Sequence, residues 1–331
     1  MDDLPTARPP APRRGWLHAG LLALTFLTTL EVGATLEGHL SQASGWHLGD
    51  LAWGLLMGRP SLEPLALLAT GWPYAAAVLA ILGAHEMGHY VLCRLHGIDA
   101  TLPYFIPVPF GVGTLGAVMR MRSAPPSRRA VLDVGVAGPL AGLAVALPLL
   151  LWGFAHSRVA EAAASAGLDS PWALLLAWRE GRLGAAVEGG SVQIMGDSLL
   201  TWAAQRLVVG PLPAGQELVL HPVAYAAWLG LVITAINLVP FGQLDGGHLT
   251  YALLGAERAA RLSRWVSRAL LACGLILSWN WLAWWALTRF VIGPRHPPSP
   301  DDTPLDPLRV AVAVLGLVLF LLTFVPVPFS F

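Results

Sequence analysis

The chain contains no lysine: all 20 of its basic residues are arginine, and 20 acidic residues balance them to a formal net charge of +0. Charge of either sign is scarce, at 12% of residues against about 25% in an ordinary soluble domain. No basic run is long enough to follow a phosphate backbone, which argues against a nucleic-acid partner. Cysteine is nearly absent as well. Cys93 and Cys273 lie far apart in apolar stretches, so there is no disulfide framework and no thiolate metal site, and both read as small core residues. Hydrophobic residues fill the gap: they make up 55% of the chain, with a mean hydropathy of +0.61. That balance excludes a water-soluble globule and makes lipid the expected solvent.

Six apolar runs, at 16–36, 65–84, 130–154, 223–241, 266–288 and 309–326, approach the roughly 20 helical residues that cross about 30 Å of hydrocarbon. The first follows Arg13 and Arg14. It is too long for a signal peptide and lacks a small-x-small cleavage site, so it reads as an uncleaved span. Arginines gather before the first run (Arg8, Arg13, Arg14), between the second and third (Arg120, Arg122, Arg128, Arg129) and between the fourth and fifth (Arg258, Arg261, Arg264, Arg268). Short loops rich in arginine stay on the cytoplasmic side, which predicts both termini inside and the segment 155–198 outside. That segment falls short of the roughly 50 residues at which independent domains begin. The expectation is a cytoplasmic tail over 1–15 and one integral membrane domain over 16–331, with no separate soluble domain.

A continuous helical run from about Tyr74 to Leu95 carries His85-Glu86-Met87-Gly88-His89. Two imidazoles four residues apart share a helix face. Both can approach one zinc ion at about 2.0 to 2.1 Å, while Glu86 beside the first can take a proton from a water. By chance such a pattern arises on the order of once in a hundred chains of this length. Ionisable groups at a span end need partners, because a charge at the bilayer centre costs roughly 2.5 to 3.5 kcal/mol even on lenient scales.

A site of this kind needs a third protein ligand. Asp245 is the candidate, in Asn237-Leu238-Val239-Pro240-Phe241-Gly242-Gln243-Leu244-Asp245-Gly246-Gly247-His248. Pro240 and Gly242 would end the helix before it, and Gly246 and Gly247 would let backbone pack close to the metal. Taken alone, Asp-Gly-Gly is equally a common turn.

Together, His85-Glu86-x-x-His89 and Asn237-x-x-Pro240 running into Leu244-Asp245-Gly246-Gly247 resemble the site-2 protease family of intramembrane zinc metalloproteases, peptidase family M50. The likeness extends to Pro103-Tyr104-Phe105-Ile106-Pro107, Gly113-Thr114-Leu115-Gly116-Ala117 and Gly135-Val136-Ala137-Gly138-Pro139-Leu140-Ala141-Gly142, about residues 75–255 in all. It implies that His85, His89 and Asp245 hold Zn2+, that Glu86 activates water, and that Asn237 holds substrate backbone or a developing oxyanion. It also implies transmembrane protein substrates and a bacterial inner membrane, with the site towards the cytoplasm. The expected fold is an all-α polytopic membrane protein of about six transmembrane helices, with a small membrane-associated β segment near the active site.

That β segment is Gly113 to Met119 (Gly113, Thr114, Leu115, Gly116, Ala117, Val118, Met119), rich in small and β-tolerant residues. A free strand edge there could pair with substrate backbone, since a helix must unwind before its peptide bonds can be cut. A re-entrant hairpin that merely plugs the protein is the equal alternative. Gly111-Val112-Gly113-Thr114-Leu115-Gly116 matches a dinucleotide fingerprint in letters only, without a strand leading into a helix, and is no cofactor loop. His221 and His248 read as structural or supporting groups rather than ligands. His18, His39, His47, His96, His156 and His296 receive no role. Glu31 is an acid within the first run, expected to face a polar cavity or to lie near the outer interface. Trp279, Trp281, Trp284 and Trp285 read as an interfacial belt. Two other function classes compete: a transporter or metal-handling protein, in which buried His and Asp line an ion path, and a non-catalytic protease-like scaffold. Glu86 discriminates against the first, because a transporter has no evident need of a base beside the first ligand, and the complete set of His85, Glu86, His89 and Asp245 argues against the second.

Overall fold

A computed structural model describes residues 15–37, 47–57, 63–161, 168–180, 194–301 and 303–330. Arg8, Arg13, Arg14 and Arg182, together with nearly all of the expected tail 1–15, lie outside the described residues. The described residues are mainly helical, with three two-stranded sheets among them. Its elements in order are α1 (Gly15–Leu36), α2 (His47–Leu56), α3 (Glu63–Ala69), α4 (Trp72–Leu95), β1 (Tyr104–Pro107), β2 (Thr114–Val118), α5 (Arg128–Ala155), β3 (Arg158–Glu161), α6 (Pro171–Arg179) and β4 (Ile194–Met195). There follow α7 (Leu199–Val208), β5 (Gln216–Val219), α8 (Pro222–Asn237), α9 (Asp245–Leu254), α10 (Ala256–Ile276), α11 (Trp279–Leu287), a π-helical turn (Thr288–Ile292), α12 (Pro307–Thr323) and β6 (Phe329–Ser330).

Among the described residues, α1, α4 and α5 are long and apolar enough to cross a membrane, while α8 and α12 are apolar but shorter. The second expected run starts seven residues late. Gly71 separates α3 from α4, and a Cβ there would lie 1.9 Å from the Leu30 carbonyl oxygen, so the turn is held against the α1 backbone. The fifth expected run is two helices. Ser278 caps α11 through the Asn280 N–H, and Gly274 of α10 lies so close to α11 that a Cβ would sit 2.6 Å from the Leu282 nitrogen. Trp281 belongs to no interfacial belt. It is buried, its indole N–H donates to the Pro326 carbonyl at 2.7 Å, and it stacks on Phe324.

The largest core cluster lies where α4, α5 and α8 meet, around Tyr74, Ile81, Leu150, Tyr225 and Trp228. Small residues allow the close approach of α4 to α5: a Cβ on Gly88 would stand 2.5 Å from the Ala137 carbonyl oxygen. Glycine at helix crossings lets backbones touch where lipid supplies no hydrophobic drive. At one end of α5, Arg309 of α12 grips Asp133 with two hydrogen bonds of 2.9 and 2.7 Å, and His96 reaches the same carboxylate at 3.0 Å.

The expected β segment is an antiparallel hairpin pairing Tyr104 with Val118 and Phe105 with Ala117. Its turn is clamped from two sides. The Thr28 hydroxyl of α1 donates to the Gly113 carbonyl at 2.7 Å, and the Tyr74 hydroxyl of α4 donates to the Val112 carbonyl at 2.8 Å. Gly113 has φ +82, a left-handed conformation that only glycine adopts without strain. Among the described residues no third strand pairs with β2.

Candidate metal centre

Helix α4 carries His85, Glu86 and His89, all three buried. Their floor is one face of α5, at positions three and four residues apart. A Cβ on Gly138 would lie 2.1 Å from His89 Nε2, one on Gly142 would lie 3.3 Å from His85 Nδ1, and one on Gly135 would lie 2.7 Å from the Cβ of His248. The glycine-rich run of α5 is therefore the surface on which the imidazoles lie.

The third donor arrives from α8. That helix ends at Asn237, and the chain reverses through Pro240 and Gly242, whose φ is +54 and whose N–H donates to the Ser263 hydroxyl. Asp245 then opens α9, where a carboxylate also complements the positive end of the helix dipole. Gly246 and Gly247 serve this reversal more than the metal position. A Cβ on Gly246 would strike the Leu238 carbonyl oxygen at 1.9 Å, and one on Gly247 the Gly242 carbonyl oxygen at 2.3 Å.

The outcome is a triangle of donor atoms. His85 Nε2 and His89 Nε2 are 3.2 Å apart, and Asp245 Oδ2 lies 3.3 Å from the first and 3.4 Å from the second. Donors held at 2.0 to 2.1 Å around a tetrahedral zinc stand roughly 3.3 to 3.4 Å from one another, so all three edges fit. The polarity fits too. His89 Nδ1 donates to the Val134 carbonyl at 2.8 Å, which leaves a lone pair on Nε2. Asp245 Oδ2 is buried and takes no hydrogen bond. Lone pairs converging in a buried space call for a cation between them, and these three residues could hold a metal ion.

Glu86 stands outside the triangle, and its carboxylate faces the Met119 backbone N–H at the end of β2. The Asn237 amide nitrogen is 3.3 Å from His85 Nε2. A cleft of about 410 Å³ opens over the group, lined by His85, Glu86, His89, Asn237, Asp245 and the stretch Ala117 to Met121, together with Val134, Gln243, Leu244 and His248.

A sequence model with the description Peptidase family M50 matches residues 73–280, well over half of the chain. The chain belongs to peptidase family M50. The glycine-rich helix α5 and all three donor residues lie inside the matched span. This M50 chain is similar to three curated proteins of Arabidopsis thaliana. It is 32% identical to "Probable zinc metalloprotease EGY2, chloroplastic" over 273 residues, 82% of this chain and 44% of that one. It is 30% identical to "Probable zinc metalloprotease EGY1, chloroplastic" over 258 residues, 77% and 43% of the two chains. To "Probable zinc metallopeptidase EGY3, chloroplastic" the identity is 29% over 319 residues, 90% and 49%. The M50 chain thus spans less than half the length of these relatives. No solved structure matches it.

Of the residues expected at the site of this M50 chain, His85, Glu86, His89, Asn237 and Asp245 come together. The strand residues divide: Ala117, Val118 and Met119 line the cleft, whereas Gly113, Thr114, Leu115 and Gly116 are not among its walls. Gly113 packs on α1, the Thr114 hydroxyl donates to the Ile106 carbonyl at 2.9 Å, and Leu115 points outward at 72% exposure. His221 is structural, its Nδ1 accepting the Val223 N–H at the start of α8. Two contributors escaped the reading of the sequence. One is the Val134 carbonyl, which carries no side-chain signature. The other is His296, brought to His248 by the path of the chain between α11 and α12.

Proposed function

We propose that the protein is an intramembrane zinc metalloprotease that hydrolyses peptide bonds in or beside transmembrane segments of membrane proteins. The observation that carries this reading is the donor triangle of His85, His89 and Asp245 with a buried carboxylate, Glu86, beside it and outside it. In the proposed membrane arrangement α1, α4 and α5 are full spans, and α8, α12 and the α10–α11 pair are the remaining embedded segments. The apolar character of these helices supports it, as do the arginine-rich stretches 120–129 and 258–268 on the side proposed to face the cytoplasm.

Zinc bound by the three residues would supply Lewis acidity, polarising the scissile carbonyl and lowering the pKa of water. Within that frame, Glu86 takes the proton of the attacking water on its carboxylate and returns a proton to the nitrogen of the leaving amine. The Asn237 side-chain amide donates to the substrate carbonyl oxygen as negative charge develops there. His89 is kept in one tautomer by the Val134 carbonyl. Ala117 to Met119 offer backbone groups to an unwound substrate as an added strand, ending beside Glu86.

The decisive experiment incubates the purified full-length protein in detergent with a library of transmembrane peptides, and maps cuts by mass spectrometry before chelation, after chelation and after zinc is restored. Cuts that vanish and return support the reading; no new peptide termini, together with metal flux when the same protein is placed in sealed lipid vesicles, would replace it with a transporter. Strand pairing has its own test. Proline at Ala117 removes a backbone donor, and is expected to slow cleavage about tenfold, the worth of one hydrogen bond in a site with little water, while zinc content stays constant; Met119 is left in place because its N–H faces Glu86. A wild-type rate in Ala117→Pro would reject edge pairing.

A further inference from the structure

An extended peptide added to β2 satisfies only one of its two edges. Its N–H and C=O groups alternate in direction, so every second residue turns its polar groups away from β2, into a cleft where unpaired backbone groups are costly. The cleft is also lined from α8, α9 and the loop between them, by Asn237, Gln243 and His248 among others. His248 lies three residues beyond Asp245 on α9 and so shares its helix face.

The hydrogen bonds of His248 fix which of its nitrogens can accept. A proline-rich strap, Gly293-Pro294-Arg295-His296-Pro297-Pro298-Ser299-Pro300, passes beside α9. His296 stacks on Tyr251, ring centroids 4.1 Å apart, and the Ser299 N–H donates to the Tyr251 hydroxyl at 2.8 Å. His296 Nδ1 lies 2.5 Å from the Pro297 carbonyl oxygen. A carbonyl can only accept, so Nδ1 carries the proton of a neutral His296 ring and Nε2 its lone pair. His248 Nδ1 lies 2.6 Å from that Nε2 and must therefore be the donor. The chain of bonds ends on a His248 whose Nε2 holds a lone pair.

We propose that His248 is a further substrate-binding residue, its Nε2 accepting a peptide N–H from the substrate edge that β2 leaves unpaired, with His296 as the positioning residue that holds its tautomer. The inference rests on the protease reading above. It gives the site a second rail, so that the substrate backbone is held from both edges.

The test uses full-length protein carrying His248→Ala, His296→Ala or His296→Gln, a peptide that the wild type cleaves, and zinc analysis of each preparation. His248→Ala is expected to raise KM about five- to tenfold, the loss of one hydrogen bond, with kcat and zinc content near wild type. His296→Ala shifts KM in the same direction, and His296→Gln, whose amide oxygen still accepts from His248, returns it to the wild-type value. Long-range nitrogen–proton NMR of 15N-histidine-labelled protein should find the proton of His248 on Nδ1 in the wild type and spread over both nitrogens in His296→Ala. An unchanged KM in zinc-loaded His248→Ala overturns the inference, as does zinc loss in that variant or a wild-type His248 protonated on Nε2. A zinc-loaded wild type that cleaves no peptide overturns the protease reading and this inference with it, whereas the other outcomes leave the protease reading standing.

Discussion

Replacing Glu86 by glutamine should leave a protein that binds zinc as the wild type does and cuts peptide at a rate about 10² to 10⁴ times lower, the range that a positioned general base contributes. Glutamine matches glutamate in shape, so the packing around this buried position is preserved, and its amide oxygen can still face the Met119 N–H. What it cannot do is take a proton. Because Glu86 is outside the donor triangle, the metal should be indifferent to the change. Cleavage rates with saturating peptide, alongside zinc-to-protein ratios, separate the possibilities. A glutamine variant without zinc would make Glu86 a ligand, and one of wild-type rate would remove it from the chemistry.

The second large effect is expected at a residue with no side chain. Gly138→Ala places a methyl group 2.1 Å from His89 Nε2, well inside contact distance. His89 cannot yield without losing its hydrogen bond to the Val134 carbonyl, and α5 cannot retreat without opening the contact between Gly88 and Ala137. Disturbing the groups that orient a metal-bound imidazole typically costs 10- to 100-fold in metal affinity, and a loss of at least about that size is expected, measured by competition with a chromophoric chelator. Gly142→Ala is the control. Its added carbon would meet His85 at 3.3 Å, a distance that a few tenths of an ångström of movement relieves. Equal zinc affinities for the two variants would contradict the glycine floor.

The parts of this arrangement that were legible in the sequence are those set by local periodicity. The spacing of His85 and His89 places both on one helix face whatever the surroundings, and Glu86 follows from adjacency. Asp245 was legible only as a turn until its motif was paired with the histidines, because its place depends on how α8 reverses. Long apolar runs became long helices for α1, α4 and α5. The run 266–288 did not, since hydropathy does not register that Ser278 can cap a new helix or that Gly274 lets the chain fold back. Trp281 misled for a similar reason: a cluster of tryptophans reads as a belt, and only the tertiary fold decides which ring is inside. The glycines of α5 form a legible motif, but their meaning lies in what would collide with a Cβ, which needs the partner helix. His296 carried no signal at all, its contact with His248 being made by a strap whose course no local pattern dictates.

His85 and His89 belong to one helix and Asp245 to the first turn of another, α9, far along the chain, so an ion shared among them ties together two regions that are remote in sequence. Their donor atoms converge only in the folded chain, so the ion binds that state and not the unfolded one and stabilises the fold by mass action. The metal-loaded protein should therefore melt at a higher temperature than the chelated one, even in the Glu86→Gln background where no peptide is turned over. Ion removal would then loosen the architecture itself.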